Sequence, residues 1–207
     1  MRVTVFGATG GIGRRVVDRA LTAGYEVHAL VRDPAKVVEP RVSTTVGGLT
    51  DGQAVARAVD GSDAVIWAVG GSHNRPDQVG LFETGARNLV AAMNRHGVRR
   101  LVALSGAGIS VDGERKPLSG RALSAAVRLV VRYVVESKRR EYRVFRDSGL
   151  DWTLVRPPRV VDGEPTGLYV SGTTLAGRHM TEGDLADFMV RRVADRSYVR
   201  ASPYVSS

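Results

Sequence analysis

The hydrophobic positions of this chain form two kinds of pattern, which alternate from one end to the other. Short apolar runs typical of buried strands lie at residues 2–6, 26–32, 63–69, 100–105 and 152–157. Apolar residues at helical spacing lie at 11–23, 51–60, 77–96, 122–148 and within 179–193. This alternation predicts an α/β fold, in which a Rossmann-like, doubly wound parallel sheet carries helices on both faces.

Local signals mark helix ends and irregular stretches. Gly97 is expected to end the third helix, and Thr181 with Asp184 predicts a capping box at the start of the last helix. The least regular stretches, 106–121 and 158–180, both follow strand ends, where doubly wound folds bind ligands. The first stretch is either a lid over a site or an ordinary surface loop.

The sequence "VFGATGGIGRRVV" at residues 5–17 joins the first strand to the first helix. In such a turn Gly7 permits a sharp exit from the strand, Gly10 a close approach of a pyrophosphate, and Gly13 close packing of the helix. The helix N-terminus adds unpaired amides and the positive end of a dipole. A glycine triplet can be only a tight turn, but a strand before it and a helix after it favour a dinucleotide site.

The end of the second strand bears on which dinucleotide is bound. NAD sites usually place an acidic residue there, for the ribose 2′-hydroxyl, whereas this chain has "ALVRDPAK" with Arg32 at the tip and Lys36 four residues later. A guanidinium can bind a 2′-phosphate through two hydrogen bonds. Asp33 precedes a proline and is expected to start a turn. The pattern favours NADP(H), and the alternative is an arginine in water at a strand end.

Composition narrows the choice of partners. The formal net charge of +9 could attract nucleic acid, but no recognition helix, zinc spacing or aromatic–basic interleaving accompanies it. We therefore expect a small-molecule substrate and no nucleic-acid or membrane partner. There are no cysteines, and His28, His96 and His179 share no metal-ligand spacing, so no metal is expected.

The length suits one domain. We expect residues 1–207 to form a single NAD(P)-binding Rossmann domain, with a small C-terminal substrate-side portion at about 158–207. The N-terminus does not look like a secretory signal, and no apolar run is long enough to cross a membrane. A cytoplasmic monomer or weak homo-oligomer is expected.

Five segments carry a family resemblance: "FGATGGIG", "GYEVHALVRDPAK", "GARNLVAAMNRHGV", "LVALSGAG" and "SGLDWTLVRPP". In this order they resemble the atypical short-chain dehydrogenase/reductases of the NAD(P)H-binding, NmrA-like family, especially its branch of biliverdin-IXβ and NADPH flavin reductases. The likeness runs from the first residue to about residue 195. It implies an NADPH-dependent oxidoreductase that transfers hydride to a conjugated acceptor such as a flavin, a biliverdin-like tetrapyrrole or a quinone.

The resemblance also implies which residues meet the cofactor. The pyrophosphate is expected at Thr9, Gly10, Gly11 and Ile12, and the 2′-phosphate at Arg32 and Lys36. Gly48 replaces an aspartate that the family usually has near the adenine, which leaves Leu49 and backbone groups for that contact. The ribose and nicotinamide are expected at Val69, Gly70, Gly71, Ala103, Pro158 and Arg159.

The catalytic group is less clear. Short-chain dehydrogenases commonly place a tyrosine four residues before a lysine, but Tyr133 precedes Lys138 by five, which rotates it by about 140° along a helix. Position 134 is valine, so Tyr133 is expected to be a half-buried structural residue. Lys138 is expected to be solvated, and the alternative is an approach to the cofactor ribose. Ser105 is the remaining candidate: it hydrogen-bonds the nicotinamide amide or a substrate carbonyl, or only caps its strand.

Several further side chains lie near the predicted site. Arg159 stands where the resemblance implies a histidine and could clamp a carboxylate or phosphate of the substrate, while His73 is expected to face solvent. The helix "RLVVRYVVESKRREYRVFR" carries seven basic residues and is expected to present a solvated basic face. Its expected packing residues are Leu129, Val130, Tyr133, Val134 and Val144.

The missing tyrosine leaves three functions open. A reductase of an electron-poor planar acceptor needs mainly positioning against the nicotinamide, with the proton taken from solvent. A non-catalytic NADP(H)-binding redox sensor needs no acid at all. A biosynthetic ketoreductase or epimerase would need an acid that the sequence does not offer.

Overall fold

The computed structural model describes residues 1–70, 74–112, 114 and 131–207. Within these residues the main sheet has six parallel strands: β1 Arg2–Phe6, β2 Glu26–Val31, β3 Ser43–Val46, β4 Ala64–Trp67, β5 Arg100–Leu104 and β6 Asp151–Val155. Their order is β3-β2-β1-β4-β5-β6. This confirms the Rossmann-like fold and puts the reversal of strand order, where such folds bind ligands, at the ends of β1 and β4.

Strand β3 is absent from the sequence prediction. Its residues, "STTV", are mostly polar and exposed, because it pairs only with β2 at the edge of the sheet. His28 of β2 fastens it, with ring nitrogens 2.7 Å from Ser43 Oγ and 2.8 Å from Thr45 Oγ1. The strand is therefore held by side-chain hydrogen bonds that no hydrophobic pattern shows.

Helices cover both faces of the sheet. They are α1 Gly11–Thr22, α2 Gly52–Val59, α3 Asp77–His96, α4 Arg132–Arg146 and α5 Glu182–Ala194. Alternate strand residues separate two cores: Val3 and Val5 face α1 and α5, while Phe6 and Trp67 face α2, α3 and α4. The two cores hold the strand ends, and therefore the ligand crevice, in fixed positions.

The predicted caps are confirmed with one correction. Gly97 is left-handed (φ 71°) at the end of α3, and Thr181 Oγ1 accepts the Asp184 amide at 3.0 Å. The prediction that the Asp184 side chain completes a capping box was wrong. The Asp184 carboxylate instead accepts the amides of Thr166 and Gly167, both at 2.8 Å, so it anchors a loop rather than the helix end.

The region after residue 158 contains two small sheets and the last helix. β7 Arg159–Val161 pairs in parallel with β9 His179–Thr181, and β8 Val170–Gly172 pairs antiparallel with β10 Tyr204–Ser206. Helix α5 packs on α1 and the main sheet, so this region shares the central core. Its role as a substrate-side portion stays a prediction.

Helix α4 differs from the prediction in its buried face. Residues 122–130 of the predicted helix, with Leu129 and Val130, lie outside the described residues. Tyr133, Val134 and Val144 are half-buried, whereas the buried positions are Val135, Ser137, Lys138, Glu141, Tyr142 and Phe145. The expectation of a solvated Lys138 was wrong.

Candidate functional site

The glycine turn after β1 is packed too tightly for side chains at two positions. Gly7 is left-handed (φ 85°), and a Cβ there would lie 2.7 Å from the Ala68 carbonyl oxygen. A Cβ at Gly13 would lie 1.9 Å from the Gly7 carbonyl oxygen, so the first turn of α1 rests on the backbone of the loop itself. The Gly10 amide donates to that same oxygen at 3.0 Å. The turn thus forms a backbone cradle at the start of the helix.

The start of α1 is suited to an anion. Gly10 is its N-cap, so no capping side chain satisfies the first amides, and its first turn contains no acidic residue. Gly10 and Gly11 are exposed, and Thr9 and Ile12 are half-buried. Amides at a helix N-terminus favour phosphate groups through their hydrogen bonds and their dipole. These residues therefore fit a nucleotide diphosphate.

Sequence reasoning missed an acidic cluster beside this cradle. Glu182 Oε1 lies 3.1 Å from where a Gly11 Cβ would be, and Arg15 holds Glu182, Glu164 and Asp162 at 3.2, 2.9 and 2.7 Å. The hydrogen bonds that Arg15 donates to these carboxylates raise its pKa, so its charge is secure. The cluster ties the loop after β7 to α1, across 149 residues of sequence in the case of Glu164. The cluster joins residues that are far apart in the sequence, so no local sequence pattern indicates it.

At the tip of β2 two cations are exposed. Arg32 follows the strand directly and Lys36 ends a short 3-10 helix, Pro34–Lys36. Neither side chain forms an ion pair with the residues that the structure describes. Asp33 accepts the Ala35 amide at 3.1 Å, as expected of a residue that starts a turn, so its carboxylate is already engaged.

The segment between β3 and α2 provides the expected adenine side. Leu49 is half-buried against the core, and its carbonyl accepts from Asn88 Nδ2 at 2.9 Å. Nothing lies within 4 Å of where a Cβ of Gly48 would be. This position therefore has room for the aspartate that the resemblance leads one to expect, although the chain has none.

The exit of β4 lies against the glycine turn. A Gly7 Cβ would be 3.0 Å from the Val69 amide nitrogen, so the backbones of the two strand exits are in contact. Val69 is buried and Gly70 is exposed. Gly71 and His73 lie outside the described residues, so the contact predicted for Gly71 and the exposure predicted for His73 stay predictions.

The exits of β5 and β6 run side by side. The Ser105 amide donates to the Val155 carbonyl and the Ala107 amide to the Pro157 carbonyl, both at 2.8 Å. Ser105 Oγ is buried and has no hydrogen-bond partner within the described part of the chain, so it does not cap its strand there. Ala103, by contrast, is 1% exposed in the core, so its predicted contact with the cofactor stays a prediction.

Beyond β6 the two arginines have different surroundings. The predicted strand 152–157 ends at Val155, and Arg156 is buried, 3.0 Å from a Glu114 oxygen and with its guanidinium 3.9 Å from the centre of the Tyr204 ring. Burial and the hydrogen bond to Glu114 raise the pKa of Tyr204 to about 12. Arg159 is exposed at the start of β7, after a half-buried Pro158. Arg159 is therefore available to a ligand and Arg156 is structural.

The described residues hold no tyrosine–lysine pair of the usual kind. Lys138 Nζ donates to the Val69 carbonyl at 2.5 Å and to Glu141 Oε2 at 2.8 Å, and its side chain is 8% exposed. The Tyr133 amide donates to Asn74 Oδ1 at 2.9 Å, which places Tyr133 at the first turn of α4. Lys138 is thus committed to the protein interior rather than to a neighbouring tyrosine.

Two kinds of feature are absent from the described residues. None of their helices is long and apolar enough to cross a membrane. No group of three or more histidine, cysteine, aspartate or glutamate side chains among them is arranged to hold a metal ion.

Comparison with known proteins identifies relatives along almost the whole chain. A 3-beta-hydroxysteroid dehydrogenase of Mycolicibacterium neoaurum is 27% identical, over 99% of this chain and 57% of its own length. The chain therefore spans less than three fifths of its steroid dehydrogenase relatives.

Two solved structures show the same fold. The anaerobilin reductase ChuY of Escherichia coli O157:H7 has a TM-score of 0.82 at 18% identity, covering 100% of this chain and 97% of that one. A short-chain dehydrogenase/reductase of Veillonella parvula DSM 2008, solved in complex with NADP, has a TM-score of 0.76 at 19% identity, covering 100% and 94%.

The family model described as NAD(P)H-binding matches residues 7–196, which include the glycine cradle, the β2 tip and all five helices described above. The residues of the cradle fit the diphosphate of such a cofactor on geometry alone. This chain belongs to the NAD(P)H-binding family.

Proposed function

We propose that this protein is an NADPH-dependent oxidoreductase that reduces a conjugated acceptor such as a flavin, a biliverdin-like tetrapyrrole or a quinone. Family membership supports the cofactor class. The preference for NADPH and the class of acceptor rest on two features of the site, the β2 tip and the exits of β4 and β5.

The preference for NADPH rests on the three side chains at the β2 tip. Arg32 and Lys36 are exposed, without ion-pair partners among the described residues, and they follow the strand that lies next to the glycine turn. Asp33 uses its Oδ1 to accept the Ala35 amide, as a residue that starts the turn. Two exposed cations beside a carboxylate engaged in the turn favour a cofactor with a 2′-phosphate.

The class of acceptor rests on the side chains described at the exits of β4 and β5. NADPH, when bound, supplies a hydride. Ser105 Oγ is a buried hydroxyl without a hydrogen-bond partner among the described residues, which supports assigning it the orientation of a nicotinamide amide or a substrate carbonyl. Lys138 is engaged with Val69 and Glu141, so it does not activate a proton donor in the crevice. A conjugated acceptor suits such a site, because its reduced form can take a proton from solvent.

Substrate charge and fold likeness guide the choice of acceptors to test. Arg159 is exposed at the start of β7 and can bind a carboxylate or phosphate. The structural neighbour ChuY is named for the reduction of anaerobilin, which supports placing tetrapyrroles among the first candidates. Acidic acceptors, such as biliverdin and flavin mononucleotide, are therefore preferred over neutral quinones.

The test has two stages. In the first stage, a titration monitored by nicotinamide fluorescence should show tighter binding of NADPH than of NADH. In the second stage, addition of flavin mononucleotide, biliverdin or a quinone should cause oxidation of NADPH. Ser105→Ala should lower kcat with little change in NADPH affinity. Ser197→Ala serves as the control, since Ser197 is exposed after α5. NADPH binding without oxidation by any acceptor would refute the reductase and leave the redox sensor, which the absence of an acid also favours.

A further inference from the structure

Lys138 is a buried cation whose hydrogen bonds lead toward the cofactor crevice. Its ammonium donates to the Val69 carbonyl at 2.5 Å, across 69 residues of sequence, and lies 6.0 Å from the centre of the Phe82 ring. A buried ammonium is costly unless it is paired and hydrogen-bonded. Lys138 therefore needs a compensating group, and the neighbouring turn of α4 provides one.

That group is Glu141, which is 0% exposed. Its Oε2 lies 2.8 Å from Lys138 Nζ, while its Oε1 and the Trp67 indole nitrogen are buried without a well-formed hydrogen bond to described residues. Burial raises the pKa of Glu141, and the charge of Lys138 and the indole of Trp67 act in the opposite direction. Burial is the largest of these effects, so the pKa of Glu141 is raised overall, and each buried charge needs the other as its partner.

Such a pair is weak evidence of a stabilising role. Desolvation of two charges can exceed their mutual attraction, and apolar residues of similar volume often replace a buried ion pair at no loss of stability. An apolar residue at position 138 would fill the space but donate nothing to the Val69 carbonyl. Unlike apolar residues of the same volume, the pair also provides a hydrogen bond from Lys138 to the backbone at the exit of β4.

The backbone at the exit of β4 connects Lys138 with the expected cofactor site. Val69 precedes Gly70, which is exposed at the strand end where this fold binds its ligand. On the other side, the Ala68 carbonyl and the Val69 amide are packed on Gly7, the first glycine of the cradle. The chain of contacts thus runs from Lys138 through Val69 to Gly7 without an intervening flexible side chain.

We propose that Lys138 and Glu141 are positioning residues, which fix the backbone of Val69 and Gly70 so that the nicotinamide end of the cofactor is held in the orientation for hydride transfer. Neither side chain touches the cofactor in this proposal. It rests on the proposed NADPH-dependent reduction for its kinetic test, but the orientation of the bound nicotinamide can be measured without any acceptor.

The experiment compares Lys138→Met, the double variant Lys138→Met/Glu141→Leu and Lys138→Arg with the unaltered protein. Arg139→Met is the matched control, because it removes a cation one residue along α4 that is paired only at the surface, 3.7 Å from Glu136. For each protein we measure kcat, the KM for NADPH, the thermal unfolding midpoint, and the emission maximum and lifetime of bound NADPH.

We expect kcat to fall roughly 10- to 100-fold in Lys138→Met, as for other small misplacements of reacting groups. The KM for NADPH should change less than about threefold, because Arg32 and Lys36, the proposed 2′-phosphate contacts at the tip of β2, lie outside the chain of contacts from Lys138 to Gly7. The double variant should regain thermal stability but not kcat, since it removes the unpaired charge without restoring a donor. Lys138→Arg, which keeps a donor, should recover part of the activity, and Arg139→Met should behave as the unaltered protein.

The nicotinamide emission separates this proposal from the proposed function. If no acceptor is reduced, a changed lifetime of NADPH bound to Lys138→Met, at unchanged affinity, still supports positioning. Unchanged emission in Lys138→Met, or recovery of kcat together with stability in the double variant, would show that the pair serves only the fold and would overturn the proposal.

Discussion

Replacing Arg32 by alanine should separate the two nicotinamide cofactors more sharply than any other single change. The side chain is exposed and makes no ion pair with described residues, so its removal breaks no contact that supports the fold. We expect the free energy of unfolding to stay within about 0.5 kcal/mol of the original value. A charge-assisted contact with phosphate is worth about 1–3 kcal/mol, which corresponds to a roughly 5- to 150-fold loss of NADPH affinity.

Arg32 is exposed, so water and salt screen its charge. We therefore expect a loss of NADPH affinity of roughly tenfold, near the lower end of that range. NADH lacks the 2′-phosphate, so its affinity should change less than about twofold. Raising the salt concentration should weaken NADPH binding to the unaltered protein more than to the variant, since one phosphate contact has been removed.

The assay is a fluorescence titration of both cofactors at two salt concentrations, with Arg57→Ala as the control. Arg57 is an exposed cation on α2, away from the tip of β2. Lys36→Ala should show the same selectivity with a smaller loss, because an ammonium binds phosphate as a point charge rather than through two parallel hydrogen bonds. Equal losses of NADPH and NADH would refute the reasoning, since Arg32 would then be supporting the adenosine or the fold.

Three further predictions concern two glycines of the site and the histidine that contacts the edge strand β3. Gly13→Ala should lower the thermal unfolding midpoint and abolish NADPH binding together, because the new Cβ would lie 1.9 Å from the Gly7 carbonyl oxygen; normal binding would contradict the cradle. Gly48→Asp should leave the unfolding midpoint unchanged, since nothing lies within 4 Å of the new Cβ, and should tighten NADPH binding as the family resemblance implies; weaker binding would contradict that role. Burial lowers the pKa of His28, so the folded state favours the neutral ring and its contribution to stability is lost as pH falls below about 6.5. Urea unfolding at about pH 7.5 and 5.5 measures this loss. Between these pH values the free energy of unfolding should therefore decrease less for His28→Asn than for the unaltered protein. An equal decrease in both proteins would assign the acid sensitivity to other groups.

Hydrophobic periodicity predicts the strands that are buried on both faces and fails for the one that is not. β1, β2 and β4 to β6 lie inside the sheet or under helices, so their runs of apolar residues stand out in the sequence. β3 has a single neighbouring strand and mostly polar residues, and His28 of β2 adds side-chain hydrogen bonds to Ser43 and Thr45. An edge strand of this kind cannot be distinguished from a loop by its own residues.

The burial of Lys138 could have been inferred from a signal in the sequence. Val135, Tyr142 and Phe145 lie seven and three residues apart and form one apolar stripe of α4, on which Lys138 and Glu141 also lie. A lysine and a glutamate three residues apart on a buried stripe indicate an internal ion pair. The spacing of Tyr133 and Lys138 alone does not show this, because it says nothing about the periodicity of the helix that carries them.

The two ends of the site differ in how far apart their determinants lie in the sequence. The phosphate end is built by neighbours: Gly7 to Gly13 form the cradle, and Arg32 stands at the tip of the adjacent strand. The nicotinamide end depends on contacts between distant segments, such as Lys138 with Val69, 69 residues away. Because the glycine turn is a local motif while long-range contacts shape the proposed acceptor end, we expect substitutions in α4 to change the acceptor end first and to reach the glycine turn only through the contact of Val69 with Gly7. It follows that the cofactor of this chain can be inferred from short stretches of sequence, whereas its acceptor has to be found by measuring which molecules oxidise the bound NADPH.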